Sequence, residues 1–290
     1  MIRWFRGSFG FTRLKKSDWQ SGGASVTGLK FLRRDILIQL SYVTAFVLQM
    51  SGIVLAVPFF YFAAQVFQGA DIGSLDRYGG SYFAFILLGI AFTDYLALSL
   101  RVYNDSLRES QLMGTLEIVL LSPLENWEIL IYSSLWGYLF TTLRFLTYMI
   151  VGAFFGLDLG NVNLFSTVIT MILSIVAFAS LGMLIASIVV VIKKGDGLTA
   201  MVTAASSFLG GVIYPVDVLP GFLQSAAAVL PITHALEAMR LAVLQGATVT
   251  EIMPQLLRLV VFAAIFLPIA LMAFRRAVAL NKVAGTLGQY

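Results

Sequence analysis

The sequence predicts an all-α polytopic membrane protein with six transmembrane helices. Three observations carry that prediction. Of 290 residues, 59% are hydrophobic and only 12% are charged, with a mean hydropathy of +0.89. A soluble domain usually carries about 25% charged residues, so lipid must be part of this chain's solvent. Next, six apolar runs of about the 20 residues needed to cross the hydrocarbon core use up most of the chain. Finally, Lys and Arg cluster beside these runs in a pattern that sets orientation.

The elements follow in order. Residues 1–35 form a basic tail with Arg3, Arg6, Arg13, Lys15, Lys16, Lys30, Arg33 and Arg34. From Leu29 an amphipathic pattern appears, with Leu29, Leu32, Ile36 and Leu40 on one helical face, which suits a short helix lying in the membrane interface. Residues 36–290 form the transmembrane domain. The first span, 37–67, is longer than the bilayer needs and should tilt, kink at Pro58 or project from the membrane. It begins behind a long polar segment and exceeds the apolar core of a signal peptide. A loop with Asp71, Gly73, Asp76, Gly79 and Gly80 leads to the second span, 82–100. A polar stretch follows, then the third span, 129–155, a short loop, and the fourth, 164–192. Lys193-Lys194-Gly195-Asp196-Gly197 reads as a tight polar turn into the fifth span, 198–214. Residues 216–252 are only moderately apolar and are broken by Pro220 and Pro231. The sixth span is 253–274.

Charge counting places both termini in the cytoplasm of a cell whose inner (plasma) membrane holds the protein. In that orientation 15 of the 19 Lys and Arg residues lie inside, as the positive-inside rule requires. The net charge of +4 is thereby read as a topology signal and not as a nucleic-acid surface. The chain has no cysteine, which excludes disulfides, thiolate metal sites and cysteine nucleophiles. One histidine, His234, supports neither a metal cluster nor a catalytic triad.

Two segments break the alternation of span and short loop. Ser106 to Pro123 is too polar at its start to span, then offers an amphipathic run with Leu112, Leu116 and Leu120 opposite Arg108, Glu109 and Glu117. It ends at Ser122-Pro123, where proline discourages further helix. Such a run suits either an ordinary loop helix or a docking surface for a soluble partner. The other segment, 210–240, carries Pro215, Pro220 and Pro231 in an apolar context. Non-helical backbone at membrane depth needs protein or water around it, and a re-entrant outer hairpin meets that need.

At these residues the chain resembles the type-2 ABC exporter permeases. Gly-Val-Ile-Tyr-Pro-Val-Asp-Val-Leu-Pro from Gly211, then Leu-Pro-Ile-Thr-His-Ala-Leu-Glu-Ala-Met-Arg from Leu230, is similar to the family's C-terminal signature. Arg-Glu-Ser-Gln-Leu-Met-Gly-Thr-Leu-Glu from Arg108 is similar to its segment after the second span, in the drug, antibiotic and lipid branch. The resemblance implies a cytoplasmic coupling helix that includes Glu109, Gln111, Gly114, Thr115, Leu116 and Glu117. It also implies an outer hairpin that includes Pro215, Leu219, Pro220, Pro231, Glu237 and Arg240. The chain has no Gly-x-x-x-x-Gly-Lys-Ser/Thr and so no means of cradling nucleotide phosphates in that manner. The expectation is a non-enzymatic subunit with no cofactor of its own. ATP and Mg would bind two copies of a partner ABC ATPase, and a second permease copy or a paralogue would complete the pathway in membrane lipid. The expected cargo is a lipid, glycolipid, drug or antibiotic. Alternatives are polysaccharide or glycan export and, outside the family, an ion-gradient-driven transporter or a membrane-embedded enzyme.

Two ionisable residues fall inside spans, where a charge costs at least about 2.5 kcal/mol unless it faces protein or water. Measured from the inner ends of their spans, Asp94 and Arg144 differ in depth by about 10 Å. Pairing is therefore not the expected arrangement. Arg144 is a candidate for lining a substrate path, and Asp94 for a structural hydrogen-bonding role. The pair Gly152 and Gly156 has the spacing of a close helix-packing motif.

Overall fold

Backbone amides inside a bilayer have no water to bond, so each apolar run must satisfy them internally as a helix. The computed structural model describes residues 24–41, 43–66, 73–112, 126–192 and 196–283. Among them run α1 (Ala24–Ser41), α2 (Val43–Gln65), α3 (Tyr82–Leu112), α4 (Asn126–Phe154), α5 (Leu164–Ile192), α6 (Asp196–Leu209), α7 (Gly221–Val229), α8 (Pro231–Leu244) and α9 (Met253–Val283). Short 3-10 turns occupy Gly73–Tyr78 and Val216–Val218.

Five helices (α2, α3, α4, α5 and α9) are long and apolar enough to cross a membrane. A sixth crossing is reached only if α7 and α8, which meet at 87°, count as one broken span. The fifth apolar run, expected over 198–214, is instead the 14-residue α6. At about 1.5 Å per residue it is roughly 21 Å long, short of the ~30 Å core. Gly210 and Gly211 end it, the latter with φ +73.

Other boundaries also move. The start expected for the first span belongs to α1, which continues to Ser41, and α2 then runs unbroken through Pro58. Pro268 likewise lies inside α9. The second helix does not stop at Leu100 but continues to Leu112. Hydropathy marks where lipid contact ends; Arg, Leu, Glu and Gln beyond that point are good helix formers and carry the helix on.

α3 is the central post, packed against α4, α5 and α8. Phe85, Leu88, Phe92, Tyr95 and Leu100 are fully buried on it. Its ring contacts reach α4 and α5 from Phe92 and Tyr95 to Phe145 and Phe178, with centroids 6.0–6.4 Å apart. α2 and α9 instead expose Leu55, Phe59, Phe62, Leu257, Ile265 and Met272, as lipid-facing helices do. Close approach of α3 and α5 depends on Gly182, where a Cβ would collide with the Ser99 carbonyl. Small polar side chains pair within their own helix: Thr93, Thr142 and Thr147 each donate to the carbonyl four residues earlier, at 2.7–2.9 Å. This is how hydroxyls are tolerated in apolar spans.

Helix ends are capped by recognisable chemistry. Asn163 Oδ1 accepts from Ser166 N at 3.1 Å, at the start of α5. Before α9, Thr248-Val-Thr-Glu251 forms a capping-box turn, with Glu251 Oε2 accepting from Thr248 N at 2.6 Å. α4 ends in a Schellman motif: Leu157 N donates to Gly152 O at 3.0 Å and Gly156 N to Ala153 O at 3.2 Å, with Gly156 at φ +94. The Gly152–Gly156 spacing therefore marks a helix end. Only Gly152 packs closely, making room for Leu87.

Candidate transport and coupling sites

The outer segment is built on prolines at element starts, where a missing N–H costs no hydrogen bond. Pro215 precedes the Val216–Val218 turn at φ −61, and Pro220 precedes α7 at φ −55. Pro231 opens α8. Leu219 offers its carbonyl to Gln224 Nε2 at 2.8 Å. The 87° break is stitched by α8: Thr233 Oγ1 donates to Ala227 O and His234 Nε2 to Ala228 O, both at 2.8 Å. Because a carbonyl only accepts, His234 carries its proton on Nε2, and Nδ1 faces Arg258 Nη1 at 3.5 Å. The single histidine is thus a splint between two short helices.

Arg240 locks this segment to the bundle. Its side chain is buried, at 3% exposure. Nη1 donates to Gly211 O at 2.9 Å, and Nη2 donates to Val212 O at 2.9 Å and to Phe85 O at 3.1 Å. The guanidinium lies 3.4 Å from the centroid of the Phe85 ring. Gly89 completes the fit, since a Cβ there would strike Val212 O. Glu237, one turn before Arg240, meets Arg77 Nη1 at 3.5 Å near the surface. Beside them the Tyr78 phenol is pushed above its ordinary value, chiefly by burial and then by the Glu237 charge, so it stays neutral. Pro215, Leu219, Pro220, Pro231, Glu237 and Arg240 accordingly fall in one structural unit.

Asp94 and Arg144 pair, contrary to the sequence expectation. Arg144 Nη2 lies 2.7 Å from Asp94 Oδ2, with side chains 29% and 27% exposed. The earlier depth comparison used inner ends that the structure relocates. Counted from the opposite ends, Tyr82 and Phe154, the residues sit 12 and 10 positions in, or about 18 and 15 Å. The pair is imperfect: the contact does not meet hydrogen-bond geometry at Asp94 Oδ2, and Arg144 Nε has no acceptor.

The coupling residues divide. Glu109 and Gln111 lie on the last turns of α3, while Gly114, Thr115, Leu116 and Glu117 fall outside the described residues.

Residues 109–244 match the family described as ABC-2 type transporter, from the end of α3 to the end of α8. The chain is similar to nodulation protein J of Rhizobium leguminosarum bv. viciae, 28% identical over 188 residues, which is 64% of this chain and 71% of that protein. It is also similar to nodulation protein J of Rhizobium leguminosarum bv. trifolii, 27% over 175 residues, covering 59% and 66%. The same-named protein of Rhizobium meliloti (strain 1021) is 26% identical over 188 residues, covering 64% and 71%.

The stretch from the end of α3 through the broken outer segment thus carries the match to the ABC-2 type transporter family. The family match and the relatives together support a type-2 ABC exporter permease. Membrane domains of this type work with a separate ABC ATPase. This similarity favours the exporter reading over the ion-gradient transporter alternative.

What sequence reading missed is the partner set of Arg240. Its chemistry was visible, because a lone arginine in an apolar helix must find acceptors. Those acceptors are backbone carbonyls, which no side-chain pattern reveals.

Proposed function

We propose that this permease exports a glycan or a glycan-bearing lipid outward across the inner membrane, driven by two copies of a partner ATPase that bind ATP and Mg. The observation that carries the cargo is the set of relatives, all named for nodulation and none for drug or antibiotic export. This favours the glycan alternative over the drug and antibiotic cargoes that the 108–117 motif suggested. Two permease copies, or one copy and a paralogue, enclose the path. α1 rests in the inner interface, with Leu29 and Leu37 exposed toward lipid. The α7–α8 pair dips into the outer leaflet as a re-entrant hairpin. Glu109, Gln111, Gly114, Thr115, Leu116 and Glu117 seat in the ATPase, so that nucleotide-driven closure moves the helices as near-rigid bodies.

Gentle extraction of the tagged chain tests the exporter part: an ABC ATPase co-elutes, and its absence would sink that part. Gene deletion tests the cargo. The expected loss is of a glycan-bearing molecule from the cell surface with unchanged drug sensitivity. Drug hypersensitivity with an intact surface would reverse the choice.

A further inference from the structure

Arg258 is a cation on a lipid-facing helix. It is exposed on α9, and Leu257, Val261 and Ile265, which share its side of the helix, are exposed as well. The span Met253–Ala277 has 25 residues. At 1.5 Å per residue that is about 37 Å, which overhangs the ~30 Å hydrocarbon core by about 4 Å at each end. Arg258 lies about 7.5 Å along the helix from Met253. Its backbone therefore sits about 4 Å inside the core, at the end that charge counting assigns to the outside.

The guanidinium is positioned yet mostly unused. Nη1 donates to His234 Nδ1 at 3.5 Å. His234 is itself held by its Nε2 bond to Ala228 O at 2.8 Å. Arg258 is thus kept beside the α7–α8 break and is not left to stretch toward water. An arginine carries five N–H donors, of which this contact takes one. Among the described residues no carboxylate pairs with Arg258. Glu237 meets Arg77 instead, and Glu251 caps Thr248. A charge at the edge of the hydrocarbon without a counter-charge is unfavourable, so the four remaining donors call for an anion from outside the chain.

We propose that Arg258 is a binding site for the phosphodiester of an anionic phospholipid in the outer leaflet. The phosphates of that leaflet lie just above the level of Arg258, within reach of a side chain that snorkels. A phosphate only accepts, and the planar fork of an arginine matches two of its oxygens. Below the head group, Leu257, Val261 and Ile265 offer an apolar face to the acyl chain. Charge selects among lipids. His234 Nδ1 accepts a hydrogen bond and so brings no charge, which leaves a local excess of one positive charge. A head group with a net negative charge matches it. A zwitterionic head group brings a cation of its own, for which Glu237 and Glu251, already engaged, are poor partners. The bound phosphate stands at the head of a line of contacts that runs through Arg258 and His234 to Ala228 O, across α9, α8 and α7. The site does not depend on which cargo is exported.

The chain has no native cysteine, so Val261→Cys, one turn below Arg258, takes a single bimane fluorophore. The labelled full chain is joined to its ATPase and placed in phosphatidylcholine nanodiscs without cargo. Quenching is then followed with phosphatidylglycerol or phosphatidylcholine that carries a nitroxide at the top of one acyl chain. Phosphatidylglycerol should quench at about one fifth of the concentration that phosphatidylcholine needs, the ratio expected for one basic residue at a lipid head group. Arg258→Gln should erase the difference. Quenching by both lipids in that variant shows that the helix still faces lipid and is not misfolded. Arg258→Lys, which keeps the charge but not the fork, should keep part of the preference. Equal quenching in the unaltered chain, or an unchanged preference in Arg258→Gln, overturns the proposal. Release of phosphatidylglycerol by inorganic phosphate overturns it too, by making the site one for soluble phosphate. So does the absence of quenching by either lipid, which a protein surface covering this face would produce. The exporter reading fails separately, if no ATPase accompanies the chain.

Discussion

Arg144 Nη2 and Asp94 Oδ2 meet at 2.7 Å near the middle of α4 and α3. Removing one partner strands a charge in the bilayer, whereas replacing both with apolar side chains is close to neutral. Arg144→Met should lose about 2–3 kcal/mol, at or below the low end of the range for buried pairs because this one is a quarter exposed. Asp94→Leu with Arg144→Met should recover most of that loss in a thermal unfolding assay. Export then separates the roles. If the double variant is stable but inactive, Arg144 serves the substrate path; if it is stable and active, the pair is structural.

Arg240→Lys should fail where a conservative substitution would be expected to succeed. Three carbonyls and the Phe85 ring are served by a planar fork that an ammonium cannot reproduce. A loss of about 2–4 kcal/mol is expected from charge-assisted bonds of about 1.5–3 kcal/mol each, which do not add fully. A melting temperature equal to that of the wild type would show that the clamp is dispensable.

Three glycines should respond in graded fashion to alanine. At Gly182 the obstacle is the Ser99 backbone, so Gly182→Ala should abolish a monodisperse elution peak. At Gly152 the obstacle is the far end of Leu87, which can rotate, so the cost should be about 1–2 kcal/mol. Nothing lies within 4 Å at Gly52, and alanine there should be neutral or slightly stabilising. Equal tolerance at all three would contradict the packing of α3 against α5.

Replacing Leu116 and Glu117 together should weaken retention of the ATPase or release hydrolysis from transport. Measuring ATP turnover and export in the same vesicles distinguishes the two. Undiminished coupled transport would remove this segment from the coupling role.

The helices were legible because apolar length is a one-dimensional property: the run at 164–192 is the helix Leu164–Ile192. The family was legible from local strings around Arg108, Gly211 and Leu230. Depth was not. The error over Asp94 and Arg144 arose because α3 runs twelve residues past its apolar part, which shifts the inner reference point while leaving the outer one intact. The half-length α6 was missed for a related reason. The apolar residues 210–214 extend the hydropathy signal, but two glycines and the positive φ of Gly211 turn the chain there. The Asn104–Thr199 contact was hidden because it joins residues 95 positions apart, and a single sequence shows no such proximity.

The Arg240 clamp has a mechanical consequence. It fastens the outer segment to α3 at Phe85, and α3 then runs without interruption to Leu112, about 40 Å away at 1.5 Å per residue. Packed protein is hardly compressible, so a shift of a few ångströms at the lower end of this rod reaches the upper end nearly undiminished. One stiff shaft therefore links the segment proposed to meet the ATPase to the outer helical pair, with no intervening joint to absorb the stroke.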